Sequence, residues 1–244
     1  YGPDGTIWGG EILDVTPEAY DRVGGLAPFR LPGGDAAVES PVRILASLLD
    51  DDERIDDLLL DRGVVERAAD AETIRAQVDQ AVNSPATTSM GRALDAASAL
   101  LDVCSERSYE GEPAMKLESV AAEGNPVDVS VPRTTVEGRQ AVDVAALVRR
   151  LDKIRDDHTR ADLAATAQAT LAGGLADVAV EAATDRGVSA VGFTGGVAYN
   201  DAISRTIRER VTDAGLEWLS HERLPPGDGG IAVGQVAVAT ARQS

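Results

Sequence analysis

Cysteine and histidine are almost absent from this chain of 244 residues. The single cysteine, Cys104, excludes an internal disulfide, so a reducing cytoplasm is the expected compartment. The two histidines are not interpreted as metal ligands, because His158 lies in the charged stretch RDDHTR, typical of a solvated helix boundary, and His221 is read as a bystander at the end of a predicted strand. We therefore expect any metal to be completed by residues outside the chain.

Long hydrophobic runs and aromatic residues are also scarce. No uninterrupted apolar run approaches the roughly 18 residues of a membrane helix, and no basic segment followed by an apolar one precedes the first predicted strand. Hydrophobic residues make up 43% of the chain and aromatic residues 3%, which predicts a soluble globular protein with no membrane partner. The chain begins with Tyr1 and not with Met, so we expect it to be part of a longer protein.

Positively charged residues are also few in comparison with acidic ones. The formal net charge is −18, and only Lys116 and Lys153 among the 23 basic residues are lysines. Binding of nucleic acid is therefore not expected, because neutralising phosphates requires clustered positive charge. An acidic surface suits concentrated salt, where charge repulsion is screened over about 3 Å at 1 M. An ordinary acidic protein is an equally good interpretation.

The pattern of apolar residues, glycines and prolines divides the chain into three regions, at about residues 1–35, 36–185 and 186–244. The first contains a strand pair or bent strand over Thr6–Val15, followed by a loop rich in glycine and proline over Gly25–Ala37. The second is mostly helical, and the third alternates strands with helices. This predicts an α/β protein with a large helical portion.

In the helical region, Ser40 and Pro41 are suited to begin a helix. Apolar spacing predicts two long helices further on, Asp143–Ile154 and Ala161–Thr184, and a strand over Val127–Pro132.

In the last region, strands over Ser189–Phe193 and Leu216–Ser220 alternate with helices, of which the final one begins near Gly230. This strand, glycine turn and helix layout is the one in which α/β proteins bind phosphates and nucleotides.

The segment VGFTGGVAYN places two glycines and an asparagine where a predicted strand meets a helix. Gly195 and Gly196 would let backbone N–H groups approach a ligand at the start of the helix. Asn200, one turn further on, could offer its amide to the same ligand. A tight turn with an ordinary exposed asparagine explains these residues equally well.

The segment LPPGDGGIAVGQ holds a single carboxylate, Asp228, among glycines and prolines just before the last predicted helix. A helix N-cap would account for the acid. Two prolines stiffen the approach to it, which a cap does not require, so a ligand to a hard cation is the alternative.

Two further segments contain candidate nucleoside contacts. In TSMGRALDAASALLDV, Asp95 lies four residues after Gly91 on one helix face and could bond ribose hydroxyls, or it could pair with Arg92. In YEGEPAMKLES, Gly111 could pass under a base or sugar, or only form the turn before a helix.

Six segments, taken together and in this order, resemble the C-terminal part of the hydrogenase maturation carbamoyltransferases, the HypF family. They are DGTIWGGEIL, PFRLPGGDAAVESPVRILASLL, TTSMGRALDAASALL, YEGEPAMKLE, FTGGVAYN and PPGDGGIAVGQ. The last of them ends at Gln235, and together they make the resemblance cover nearly the whole chain. The same segments are more distantly similar to tRNA threonylcarbamoyl transferases and antibiotic O-carbamoyltransferases.

The resemblance implies a fold and a reaction. The fold would be part of an actin-like ATPase (ASKHA) module, with a helical insertion and a C-terminal α/β portion that binds nucleotide and metal. The reaction would pass a carbamoyl group from carbamoyl-adenylate, made from carbamoyl phosphate and ATP, to the C-terminal cysteine of a HypE-type partner. The product would supply the cyanide ligand of a nickel–iron hydrogenase.

The resemblance also assigns residues. Asp228 falls on the family's acidic ligand of a divalent metal, iron or zinc, whose other ligands lie upstream of this chain. Asn200 and the Gly195–Gly196 turn fall on the adenosine site, and Asp95 and Gly111 match nucleoside contacts of the related transferases.

Several family features are missing from the chain. In the family, three features lie upstream of the part that this chain resembles: the paired metal-ligand histidines, the DGTG turn and the adenylate-forming domain. We therefore expect the chain to be catalytically incomplete alone. A Phe-His pair expected in the long helix is replaced by Ala167 and Gln168, and the resemblance gives no role to Asp35 or Gln168. Two other functions stay open, an O-carbamoyltransferase acting on a small-molecule hydroxyl and a non-catalytic actin-like lobe that binds nucleotide.

Overall fold

The computed structural model describes residues 1–242, which form eight strands and ten α-helices. The strands are β1 (Glu11–Val15), β2 (Tyr20–Leu26), β3 (Phe29–Arg30), β4 (Ala86–Thr87), β5 (Arg133–Val136), β6 (Arg139–Val142), β7 (Ala190–Gly192) and β8 (Glu217–Leu219). The helices are α1 (Asp35–Glu39), α2 (Pro41–Ala46), α3 (Asp52–Asp61), α4 (Ala68–Asp79), α5 (Met90–Leu100), α6 (Glu112–Ala121), α7 (Val144–Ile154), α8 (Arg160–Arg186), α9 (Asp201–Asp213) and α10 (Ile231–Ala241). Two short 3-10 helices, Gly196–Tyr199 and Asp228–Gly230, precede α9 and α10.

The largest sheet has the strand order β1-β2-β6-β5. β1 and β2 are antiparallel, with Glu11 opposite Gly25, and β2 runs parallel to β6. β5 and β6 form a hairpin whose turn residues, Glu137 and Gly138, have φ values of 50° and 80°, as a two-residue turn between twisted strands requires. The sheet thus joins strands near the start of the chain to a hairpin more than a hundred residues later.

The predicted strand over Val127–Pro132 is wrong, because this segment has no regular secondary structure. Pro126 and Pro132 bound it and lack an N–H, and the Val127 N–H donates to Thr166 Oγ1 of α8 (2.8 Å) and not to a strand. The pairing occurs instead in the β5–β6 hairpin that follows.

The core is built around α5, which is buried from Ala93 to Leu100. α2, α6 and α8 pack directly against it or against one another. The two long helices form as predicted. Asp143 Oδ1 accepts the Ala146 N–H at the start of α7 (2.9 Å), and Gly187, with φ of 68°, ends α8. Ser40, in contrast, makes no side-chain cap for α2.

Helix α8 has 27 residues and crosses the whole core. By length and composition it could span a membrane, with a mean hydropathy of 1.3 over its most apolar window, but 83% of that window is buried inside the fold. Burial of this kind is typical of a core helix. Threonine and glutamine residues interrupt its alanines and leucines, so the helix contains no long uninterrupted apolar run.

The last region agrees with the predicted alternation of strands and helices. β7 and β8 pair in parallel, and α9 packs its buried face, Ile203, Ile207 and Val211, towards α8. Helix α10 is different, because Ile231–Thr240 is exposed throughout although the helix is apolar. Within residues 1–242, no element covers it.

Candidate nucleotide site

A cavity of about 980 Å³ lies between the first strand, α5, α6 and the turn before α9. Four of the predicted nucleotide residues line it, Gly111, Gly195, Gly196 and Asn200. They come from two segments separated by more than eighty residues, so the fold brings them together. The volume lies at the upper end of the range for small-molecule sites, roughly 300–1,000 Å³.

The Gly195 turn is fixed by bonds to the loop that carries Asp228. Gly195 has a φ of 99°, a conformation that other residues rarely adopt. Its N–H donates to the Pro226 carbonyl oxygen (2.7 Å), and Thr194 Oγ1 donates to the same oxygen (2.9 Å). The Gly195 N–H is therefore already used, which leaves Gly196, the first residue of the 3-10 helix, with the N–H that is free to meet a ligand.

Asn200 is buried and performs a structural task as well. Its side-chain oxygen accepts the Ile203 N–H (2.9 Å) and so caps α9. The expectation of an ordinary exposed asparagine is therefore wrong. The other end of the amide, Nδ2, makes no hydrogen bond within residues 1–242 and is free to donate to a molecule in the cavity.

Gly111 begins α6 in the left-handed conformation, with φ of 78°. From it, one face of α6 lines the cavity through Ala114, Met115 and Glu118, which follow at spacings of three, four and seven residues. Burial raises the pKa of Glu118 above its usual value. Sequence analysis did not single out Glu118, although its position two helical turns after Gly111 would have indicated the same face.

Asp95 is fully buried and lies behind the cavity wall, whereas its neighbour Arg92 lines the cavity. An Arg92 nitrogen lies 3.0 Å from Asp95 Oδ2, but neither carboxylate oxygen has a partner in hydrogen-bond geometry. Burial raises the pKa of Asp95 to about 6, against the opposing charges of Arg92 and Arg107. The structure contains the ion pair with Arg92, whereas the contact of Asp95 with ribose hydroxyls stays a prediction, because Asp95 does not line the cavity.

The cavity wall is more acidic than basic. Glu11, Glu110 and Glu118 line it, and Arg92 is its single cation within the described part of the chain. Glu11 accepts the N–H groups of Gly9 (2.6 Å) and Gly10 (3.0 Å) and so holds the first turn of the wall in place.

Trp8 closes the cavity on the side of the first strand. Its Nε1 donates to Asp4 (3.0 Å), and the Arg22 guanidinium lies over its ring at 5.0 Å from the centroid. No local pattern marks Trp8 or Arg92 as a cavity residue, since their approach depends on how distant segments pack together.

Asp228 lies outside the cavity wall, in the 3-10 helix before α10, and is exposed. Its side chain caps neither helix, because no cap hydrogen bond is made at this point. Across residues 1–242, no group of three or more His, Cys, Asp or Glu side chains could hold a metal ion. The residues that the structure describes therefore do not form a metal site by themselves, and Asp228 can supply only one of the ligands.

Two glycine turns border the cavity, Gly111 between α5 and α6 and Gly195–Gly196 between β7 and α9, an arrangement typical of a nucleotide-binding domain. A family model described as a carbamoyltransferase, Kae1-like domain, second subdomain, matches residues 1–235. The HypF carbamoyltransferase of Rhodobacter capsulatus is 35% identical over 243 residues, covering 99% of this chain and 31% of the relative. The chain belongs to the HypF carbamoyltransferase family.

Two solved structures agree with this. HypF of T. kodakarensis aligns with a TM-score of 0.87 at 33% identity over 100% of this chain and 33% of that one. A full-length HypF in the phosphate- and nucleotide-bound form gives a TM-score of 0.87 at 27% identity, over 99% of this chain and 32% of the other. The predicted family and fold class are confirmed, and the chain spans about a third of the length of these relatives.

Proposed function

We propose that the protein containing this chain transfers a carbamoyl group from carbamoyl-adenylate to the C-terminal cysteine thiol of a HypE-type partner. The adenylate would be made from carbamoyl phosphate and ATP, and the product would serve nickel–iron hydrogenase maturation in the cytoplasm. The observation that carries the proposal is the single cavity lined by Gly111, Gly195, Gly196 and Asn200. The nucleotide-bound form of a related HypF supports the same assignment.

Within the cavity, these four residues would hold the adenosine part of the donor. The Gly196 N–H and the Asn200 Nδ2 group would donate to nucleotide oxygens or ring nitrogens, and Gly111 would let the backbone approach the sugar. Asp95, buried behind the wall and 3.0 Å from an Arg92 nitrogen, would hold Arg92 in position. Direct contact between Asp95 and ribose hydroxyls would require the wall to open. When the donor is held in this way, its translational and rotational entropy is lost on binding and not in the transfer step, which lowers the barrier of that step.

In the transfer step, the partner's thiol first loses its proton, and the thiolate sulfur attacks the carbamoyl carbon. A C–S bond forms, the C–O bond to AMP breaks, and AMP leaves with the electron pair. Arg92 is the cavity's cation and would stabilise the negative charge that develops on the leaving nucleotide.

We further propose that Asp228 contributes one ligand to a divalent metal, iron or zinc, that is shared with residues outside this chain. Its carboxylate is exposed and does not cap a helix, so it is available for this role. Such a metal, when bound, supplies a positive charge that polarises donor oxygens.

The test is to incubate the whole protein with carbamoyl phosphate, ATP and the partner, and to measure the intact mass of the partner. We expect one carbamoyl group on its C-terminal cysteine, and none on a matched partner in which that cysteine is serine. Transfer to a small-molecule hydroxyl would contradict the proposed acceptor. Nucleotide binding without any transfer would contradict the proposed activity and support the alternative of a non-catalytic actin-like lobe that binds nucleotide.

A further inference from the structure

A second cavity, of about 590 Å³, adjoins the nucleotide cavity at Glu110, which lines both. One wall is formed by Ser40 and Arg43 around the start of α2. The other is formed by the segment 106–110, whose position is fixed by a hydrogen bond from the Arg107 N–H to the Glu39 carbonyl oxygen (2.9 Å). None of the residues proposed to hold nucleotide lines this cavity.

Two arginine side chains in this cavity lack partners. Seven of the arginines within residues 1–242 make neither a side-chain hydrogen bond nor an ion pair. Five of these seven are exposed, and the two that are half-buried, Arg43 and Arg107, both line the second cavity. Burying part of a charged group without a counterion costs folding free energy. Two such arginines in one cavity therefore indicate a place where an anion would be stabilised.

Arg43 is held away from water by the turn above it. A Cβ atom at Gly33 would lie 3.2 Å from Arg43 Nη1, so the turn passes directly over the guanidinium. Burial correspondingly lowers the pKa of Arg43 from its usual value. Arg107 interacts with Asp95 only at longer range, through its charge and without an ion pair.

A hydroxyl group adds a third unused polar atom. Ser40 Oγ is buried and has no hydrogen-bond partner, and it does not cap α2 although Ser40 occupies the cap position. Two cations and one hydroxyl therefore border the same space with their hydrogen-bonding capacity unused.

The acidic residues of the cavity limit the charge of its ligand. Glu39, Glu106 and Glu110 line it as well, but they are exposed and none of them forms an ion pair with Arg43 or Arg107. Three exposed carboxylates disfavour a multiply charged anion such as phosphate more strongly than an anion with a single charge. A planar carboxylate also matches the donor geometry of a guanidinium group.

We propose that this second cavity is a binding site for a monoanionic carboxylate, held by the guanidinium groups of Arg43 and Arg107 and the hydroxyl group of Ser40. The site does not depend on the proposed carbamoyl transfer, and its ligand can be measured without nucleotide.

The experiment follows thermal unfolding of the whole protein while acetate replaces chloride at constant ionic strength. A ligand that binds only the folded state raises the unfolding midpoint, so we expect acetate to raise it in the wild type. The Arg43→Met and Arg107→Met variants should need about tenfold more acetate for the same rise, since each loses a charged hydrogen-bond donor. Arg205→Met, which removes an exposed unpaired arginine on α9, is the matched control and should respond like the wild type.

Stability in chloride alone gives a second readout. Replacing an unpaired half-buried cation by methionine should leave the midpoint unchanged or raise it, whereas a purely structural arginine would lower it. The proposal is overturned if both methionine variants keep the wild-type response to acetate, or if the wild type shows none. An equal or larger response to inorganic phosphate would exclude a carboxylate as the preferred ligand and overturn the proposal as well.

Discussion

Gly195 donates its N–H to the carbonyl oxygen of Pro226 over 2.7 Å, and this bond joins the glycine turn of the nucleotide cavity to the loop that carries Asp228. Thr194 Oγ1 donates to the same oxygen. The two segments are separated by some thirty residues. The first contains candidate nucleotide-binding residues, and the second contains the candidate metal ligand. Because these bonds connect the two loops, a substitution that moves the backbone of one loop should also shift the other.

Replacing Gly195 by alanine should weaken both the fold and nucleotide binding. A Cβ there would meet no other atom within 4 Å, so the cost comes from the backbone angles, φ of 99° and ψ of 175°, and is about 1–3 kcal/mol of unfolding free energy. Denaturant unfolding measures the first effect and calorimetric titration with a nucleotide the second. Gly234→Ala in α10, where φ is negative and space is open, should instead stabilise the protein slightly. Equal effects of the two substitutions would contradict this account.

Two substitutions of Asn200 should separate its two tasks. Asn200→Ala removes the oxygen that caps α9 and should cost about 1 kcal/mol. Asn200→Asp keeps that oxygen and should retain most of the stability, but it lacks the Nδ2 donor and should bind nucleotide more weakly. If Asn200→Asp binds nucleotide as tightly as the wild type, the amide does not contact the ligand.

The ionisation of Asp95 should appear in the pH dependence of stability. The folded protein keeps this proton up to about pH 6, whereas the unfolded chain releases it near 3.8. The free energy of unfolding therefore falls as pH rises through this interval, by about 3 kcal/mol at most. Asp95→Asn should remove this fall, and the exposed Asp213→Asn should not. The wild-type affinity for a nucleoside should decrease below pH 6 if the charged carboxylate accepts its hydroxyls.

Asp228→Ala should change metal content and leave stability nearly unaltered. Because Asp228 makes no cap hydrogen bond, its loss should cost less than about 0.5 kcal/mol. Asp143→Ala, which removes a true cap from α7, should cost about 1 kcal/mol and serves as the comparison. Elemental analysis of the whole protein gives the metal content. Unchanged metal in Asp228→Ala would exclude this acid as a ligand.

Local patterns in the sequence predicted the helices better than the main sheet. Apolar spacing predicted α7 and α8, and the structure shows where they begin and end, at the Asp143 cap of α7 and at Gly187 after α8. β2 was not predicted because it contains Gly24 and Gly25, which rarely occur within strands. The structure supplies the reason at Gly24, where a Cβ would lie 2.6 Å from Val178 Cγ1 of α8.

The candidate site was predictable only in part. The resemblance to HypF proteins indicated Gly195 and Asn200 as nucleotide residues, the similarity to the related transferases indicated Gly111, and all three line one cavity. The sequence could not show that Arg92 faces this cavity while Asp95 lies behind its wall. Which of two nearby residues on α5 reaches the cavity depends on how other elements pack against that helix. The three-region division of the chain stays a prediction.

Trp8 gives the cavity a property that is independent of its chemistry. The protein has two tryptophans, and the second, Trp218, lies in β8 and outside the cavity. Because Trp8 borders the cavity beneath the Arg22 guanidinium, its indole emission should respond when a ligand displaces water or shifts that charge. In a Trp218→Phe background the molecule would carry a single built-in optical reporter, so that occupancy could be followed in real time without a label.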